Sequence, residues 1–164
     1  MQAAWRDLSH IDWRAIPIAA FVGGTVFLLV NVILTPIVLE VEPTLFLRYI
    51  AALVMGNDVL TEDQTYTLFV GVGVHYILSI LFTLVIAVVV HRWGMMVGVV
   101  GGAILGLALY GINLYTLTVF FEWFFAINSD VLLLSHVLFG ATVGGVYELF
   151  DHYDLALEVS RETA

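Results

Sequence analysis

The chain has 164 residues, of which 62% are hydrophobic and only 12% are charged. A soluble domain carries about 25% charged residues, so this composition is typical of a membrane protein. The chain contains no cysteine, which excludes disulfides, thiolate catalysis and iron–sulfur clusters. The chain has five basic and fourteen acidic residues, for a net charge of −9, and the basic residues form no cluster. Nucleic acid is therefore not an expected partner.

Four apolar runs are long enough to cross a bilayer, which takes about 20 residues. Each is expected to be helical, because lipid offers no partner for backbone N–H and C=O groups. The first run is longer than the apolar part of a signal peptide and has no clear cleavage site after it, so we expect it to be retained. The sequence therefore predicts an all-α fold: one integral membrane domain over 1–164, a four-helix transmembrane bundle with spans at roughly 16–39, 66–90, 95–120 and 131–150.

The five arginines predict the orientation of these spans. Arg6 and Arg14 precede the first span, Arg92 lies between the second and third, and Arg161 follows the fourth, whereas only Arg48 lies on the other side. By the positive-inside rule, both termini are expected in the cytoplasm.

Three segments outside the spans carry their own predictions. Residues 43–55 begin with Pro43 and are followed by Gly56, which predicts a short helix that either lies in the outer interface or packs as a connecting helix on the bundle. The aromatic segment 120–125 is read as an outer aromatic belt or as a docking surface for a partner protein. Residues 151–164 are predicted to form a charged, helical cytoplasmic tail.

Glycines recur at every fourth position of the third span and twice in the fourth. In water each would weaken a helix, but membrane helices associate where small residues let their backbones approach closely. These glycines therefore predict a groove that holds either a neighbouring helix of the same chain or a second copy of the protein. The predicted packing glycines are Gly94, Gly98, Gly102, Gly106, Gly140 and Gly144.

Each span also contributes one amide or imidazole side chain to its apolar sequence: Asn31, His75, Asn113 and His136. At 1.5 Å of rise per residue, all four are expected roughly 8–14 Å below the outer surface. Ser79 lies one turn after His75, on the same face. Because these residues share helix faces with the glycines, we expect them to meet in one intramembrane polar layer.

This layer has three possible roles. It forms hydrogen bonds between helices, it responds to pH because histidine titrates near neutrality, or it ligates a haem or transition metal through His75 and His136. No further ligand pair or carboxylate supports the third role, so we predict no metal site and no resident cofactor. Glu148 is expected near the inner boundary of the membrane.

No motif of a soluble enzyme occurs, and four spans are too few for alternating access by a monomer. The predicted function is that of a non-catalytic membrane module, self-associating or an accessory subunit of a larger complex. A small channel or transporter subunit is the alternative.

Five short segments resemble small bacterial inner-membrane proteins of the YagU type: PTLFLR at 43–48, YTLF at 66–69, VHYILSI at 74–80, GGAILG at 101–106, and SHVLFG at 135–140 with the sequence up to Glu148. The resemblance implies a multi-span protein of the bacterial inner membrane, from a group associated with acid tolerance and without established enzymatic activity. His75 and His136 fall on matching positions, whereas the aromatic segment 120–125 departs from the pattern.

Overall fold

The computed structural model describes residues 11–61, 64–91 and 93–162, with side chains up to residue 150. Arg6, Arg92 and the side chain of Arg161, on which the predicted orientation partly depends, lie outside the described residues. The described chain is all-helical. Its five α-helices are α1 (Ala15–Leu39), α2 (Leu45–Met55), α3 (Thr65–Val90), α4 (Met95–Phe120) and α5 (Asp130–Glu162).

Four of these helices are long and apolar enough to cross a membrane: α1, α3, α4 and the part of α5 up to Phe150. Their bounds agree with the predicted spans to within one residue at each end. Many of their large apolar side chains point outward, among them Phe69, Met96 and Val119. Such a surface is unfavourable in water and suits a lipid environment. The structure thus confirms four helices with the length and composition that a membrane span requires.

Among the described residues, α5 makes the most extensive contacts of the four long helices, first with α4, then with α1 and least with α3. Among these helices, α3 packs chiefly against α1, and its contact with α4 is smaller than its contact with α5. α1 and α4 end at the same end of the bundle at which α3 and α5 begin. We call it the α2 end, because α2 and a short 3-10 helix, Glu122–Ile127, also lie there.

The contact between α4 and α5 is built from glycine on both sides. A Cβ atom added at Gly102 would overlap the carbonyl oxygen of Gly140, and one added at Gly106 would overlap the carbonyl oxygen of His136. Gly98 and Gly144 meet in the same way. The groove predicted from the glycine spacing is thus occupied by another helix of the same chain.

Gly94 is the exception among the predicted packing glycines. It precedes the first turn of α4 with φ 86° and ψ 160°, and a Cβ atom there would meet nothing within 4 Å. This backbone conformation is open almost only to glycine. The prediction is therefore wrong for Gly94, whose role is to start the helix after the turn that follows α3.

α2 packs against the bundle through α3. A Cβ atom at Gly71 of α3 would overlap the carbonyl oxygen of Leu47, so the two backbones touch. Phe46 and Ile50 of α2 are buried. The predicted short helix therefore exists at Leu45–Met55, close to its expected bounds. Its contacts match the connecting-helix alternative.

Candidate functional site

A cavity of about 160 Å³ lies between the long helices, near the α2 end of the bundle. Four of the five residues predicted for the polar layer line it: His75 and Ser79 of α3, Asn113 of α4 and His136 of α5. Asn31 does not line the cavity, although it is buried on α1. Its side-chain amide donates instead to the carbonyl oxygen of Phe27, one turn earlier in the same helix, at 2.9 Å.

The rest of the cavity wall is apolar and rich in aromatic rings. Five phenylalanines and one tyrosine contribute to it, together with leucine and isoleucine side chains. None of its lining residues is Asp, Glu, Lys or Arg. The aromatic residues are Phe27, Phe46, Phe82, Tyr110, Phe124 and Phe139.

His75 is held against α1. Its Nε2 lies 2.8 Å from the carbonyl oxygen of Gly24, and the hydroxyl of Ser79 donates to the backbone oxygen of His75 at 2.9 Å. Because a carbonyl oxygen only accepts, Nε2 of the neutral ring carries the proton and Nδ1 is the acceptor. The approach is close because residue 24 is glycine: a Cβ there would lie 2.8 Å from the Ser79 hydroxyl oxygen.

His136 has the opposite tautomer. Its Nδ1 lies 2.8 Å from the carbonyl oxygen of Leu132 on its own helix, so Nδ1 carries the proton and Nε2 is the acceptor. The residue is only 8% exposed. Nε2 has no hydrogen-bond partner among the described residues. The ring therefore presents an unused acceptor on the cavity wall.

Phe27 contacts both imidazoles. Its ring stacks on His75 with 5.3 Å between ring centroids and meets His136 edge-on at 4.8 Å. This phenylalanine lies on the same face of α1 as Gly24 and Asn31, three residues from one and four from the other. That spacing was a signal in the sequence, but an apolar residue in an apolar span gives no reason to single it out.

A haem does not fit these residues well. The cavity is close in size to an engineered cavity of about 150 Å³ that binds benzene, and a haem is several times larger. In addition, Nε2 of His75 is engaged by the carbonyl oxygen of Gly24. No group of three or more His, Asp or Glu residues suited to a metal ion occurs within the described part of the chain.

Two segments outside the long helices contribute to the cavity wall at the α2 end. Phe46, Ile50 and Leu53 of α2 and Phe124 of the 3-10 helix line it. Trp123 joins these segments, since its ring lies 5.9 Å from that of Tyr49 on α2. The segment read from the sequence as a belt or docking surface thus also folds inward, a contribution that its composition did not reveal.

Tyr110 is a further wall residue that the sequence did not single out. Its hydroxyl donates to the side-chain oxygen of Asn128 at 2.7 Å, which connects α4 to the segment before α5. Its ring lies 5.7 Å from His136. Tyr110 is three residues before Asn113 on α4, so the helical period places both on one face.

Glu148 lies at the opposite end of the α4–α5 contact. It is fully buried, and its Oε2 accepts the backbone N–H of Gly94 at 3.0 Å. Its Cγ lies 2.6 Å from the position that a Cβ of Gly98 would occupy. The carboxylate therefore anchors the beginning of α4 to α5.

Comparison with known proteins gives no assignment: no family model, no curated protein and no solved structure matches this chain.

Proposed function

We propose that the protein is a non-catalytic integral membrane protein that binds a small, predominantly apolar molecule in the cavity between its long helices. The observation that carries this proposal is the cavity itself, about 160 Å³ in volume, with aromatic walls and two histidines. Protein interiors are normally packed without voids of this size, and an apolar cavity of similar volume takes up benzene. The absence of charged wall residues favours an uncharged occupant.

Fluorobenzene is a suitable probe for this binding. We expect its ¹⁹F NMR spectrum in lipid nanodiscs to contain a protein-bound signal, distinct from the lipid-dissolved one. Leu117→Trp, on the cavity wall, should abolish the bound signal by filling the space. Leu107→Trp provides the matched control, because Leu107 lies on the same helix but is exposed and outside the wall. Absence of a bound signal in the unmodified protein would contradict the proposal.

The proposed environment is the bacterial inner membrane, with both termini in the cytoplasm. The arginine distribution and the resemblance to the YagU type support this placement. In this orientation the cavity lies in the half of the bilayer that faces away from the cytoplasm. Cysteine accessibility tests it simply, since the chain has no native cysteine: a cysteine at Asn57 should react with an impermeant thiol reagent added to intact cells.

We further propose that the protein acts as an accessory subunit of a larger membrane complex or as a self-associating module. The outward apolar faces of α3 and α4 support this proposal, because they can pack against membrane helices of another chain. Native mass spectrometry from mild detergent reports copy number, bound molecules and partner subunits together. Recovery of the protein only as a monomer without a partner would contradict this part of the proposal.

A further inference from the structure

The cavity has one polar acceptor in an otherwise aromatic wall, and this combination points to the chemical class of the ligand. Nε2 of His136 is the ring nitrogen farthest from the α5 backbone, and the proton of the neutral ring is already committed to the carbonyl oxygen of Leu132. An acceptor left without a donor in an apolar cavity is costly. The occupant that satisfies it must bring an O–H or N–H group.

Asn113 adds a second polar contact on the neighbouring helix. Its side chain lines the same cavity and has no hydrogen bond with any described residue. An amide both donates and accepts, so it matches a hydroxyl, which also does both. A hydroxyl on the ligand can thus donate to Nε2 of His136 and accept from the amide of Asn113.

The size and walls of the cavity favour a single aromatic ring as the body of the ligand. The volume of about 160 Å³ is close to that of a cavity that holds benzene. Aromatic walls gain from edge-to-face contacts with such a ring beyond the burial of its area. Phe27 and Tyr110 already meet the ring of His136 edge-on.

The extent of the contacts between helices indicates a route into the cavity. Among the described residues, α3 makes less contact with α4 than with α1 or α5, and both α3 and α4 contribute wall residues to the cavity. His75, Ser79 and Phe82 come from α3, and Tyr110, Asn113 and Leu117 from α4. Because little packing would have to give way there, we infer that a molecule dissolved in the bilayer reaches the site through the seam between these two helices.

We propose, resting on the proposed binding function, that the ligand is an uncharged monocyclic phenol that enters from the bilayer and donates its hydroxyl to Nε2 of His136. The phenol is either a free small molecule or the ring of a lipid-tailed phenol whose tail remains in the α3–α4 seam. Both sources share the same ring and hydroxyl chemistry.

Phenol and toluene form a matched pair of probes, because they differ chiefly in a hydroxyl against a methyl group. We expect phenol to bind about threefold to tenfold tighter than toluene, with both concentrations expressed in the lipid phase, since one hydrogen bond distinguishes them. In protein labelled with ¹⁵N-histidine, phenol but not toluene should shift the Nε2 resonance of His136. Equal affinities together with an unmoved resonance would overturn the inference.

Variants distinguish the contribution of the polar contact from binding in the cavity as such. His136→Phe and Asn113→Leu should each reduce the preference for phenol over toluene, and Asn31→Leu should retain it because Asn31 lies off the wall. If His136→Phe does not fold, the Nε2 resonance of the unmodified protein decides the question. Fluorobenzene binding without a preference for phenol would overturn this inference and leave the proposed function intact, whereas binding of neither would overturn both.

A long-chain 4-alkylphenol distinguishes the two sources. If the natural ligand is a lipid-tailed phenol, 4-dodecylphenol should displace phenol at equal concentration in the lipid. If the ligand is a free phenol, the added tail should weaken binding. In both cases phenol must bind more tightly than toluene. If it does not, and 4-dodecylphenol shows no binding that depends on its hydroxyl, the assignment of a phenol is overturned.

Discussion

Gly102 of α4 and Gly140 of α5 exclude a side chain from each other: a Cβ atom on either would overlap the carbonyl oxygen of its partner. Both contacts involve backbone atoms, which cannot rotate away as a flexible side chain would. The relationship is reciprocal, so backbone touches backbone between the two helices here. This contact positions α5, and with it His136, one turn before Gly140.

Gly102→Ala should therefore destabilise the bundle by about 1–3 kcal/mol, the usual cost of forcing extra atoms into a packed contact. Gly111→Ala is the matched control, because a Cβ at Gly111 of the same helix meets nothing within 4 Å. We expect that control to be neutral or slightly stabilising, since alanine favours a helix over glycine. Unfolding of both variants in mixed micelles measures the difference, and equal stabilities would show that α4 and α5 do not pack as described.

A substitution of Gly94 should destabilise the protein for a different reason, namely backbone conformation and not lack of space. At φ 86° and ψ 160° an alanine is strained, so Gly94→Ala should cost about 1–3 kcal/mol although its Cβ would touch nothing. Gly73→Ala, in the exposed and helical part of α3, adds the same atom without strain and should not destabilise. The same unfolding assay compares them, and a neutral Gly94→Ala would show that the turn before α4 adopts another conformation.

Much of this architecture could be predicted because a bilayer imposes it. The length of each span, the helical state and the glycine faces follow from backbone hydrogen bonding and close packing in lipid. The levels of His75, Asn113 and His136 follow from the rise of the helix. The packing role predicted for Gly94 was wrong because periodicity alone does not distinguish a glycine within a helix from one that precedes it.

The cavity itself could not be predicted from the sequence. It depends on contacts between elements far apart in the chain, such as Trp123 with Tyr49 and Phe27 with both imidazoles. Asn31 illustrates the same limit, because its level on α1 was a reasonable basis for placing it in the layer. Its amide nevertheless bonds to its own helix, an alternative that local spacing also allows.

Glu148 gives a prediction about the end of the bundle remote from the cavity. Glu148→Leu should destabilise the protein more than Glu148→Gln, by about 1–3 kcal/mol, because leucine leaves the N–H of Gly94 without its acceptor. Glutamine retains an oxygen of similar reach and the Cγ that packs beside Gly98. Unfolding free energies of the two variants test this order. The reverse order would mean that burial of the carboxylate dominates over its hydrogen bond.

Acid should reverse the hydrogen bond between His136 and a phenol. When the ring of His136 is protonated, both nitrogens carry a proton, so Nε2 no longer accepts from the ligand hydroxyl and instead donates to its oxygen. The titratable groups that face this ring are His75 from α3 and Tyr110 from α4, while α1 presents Phe27, and no carboxylate lines the cavity to favour the charged form. Nε2 should therefore accept from the phenol at neutral pH and donate to it once the ring is protonated, so the ratio of phenol to toluene affinity should change as the pH falls.

The measurement is the ratio of phenol to toluene affinity across a pH titration in nanodiscs, within the range over which the protein stays folded. Toluene binding should change little, because toluene makes no hydrogen bond with the imidazole. His75→Gln serves as the control, since it removes the other imidazole and leaves the acceptor of His136 in place. A phenol preference of unchanged size when the His136 ring becomes protonated, as followed by its ¹⁵N shifts, would show that another group accepts the hydroxyl. A pH dependence that disappears in His75→Gln but survives in His136→Phe would assign the response to His75.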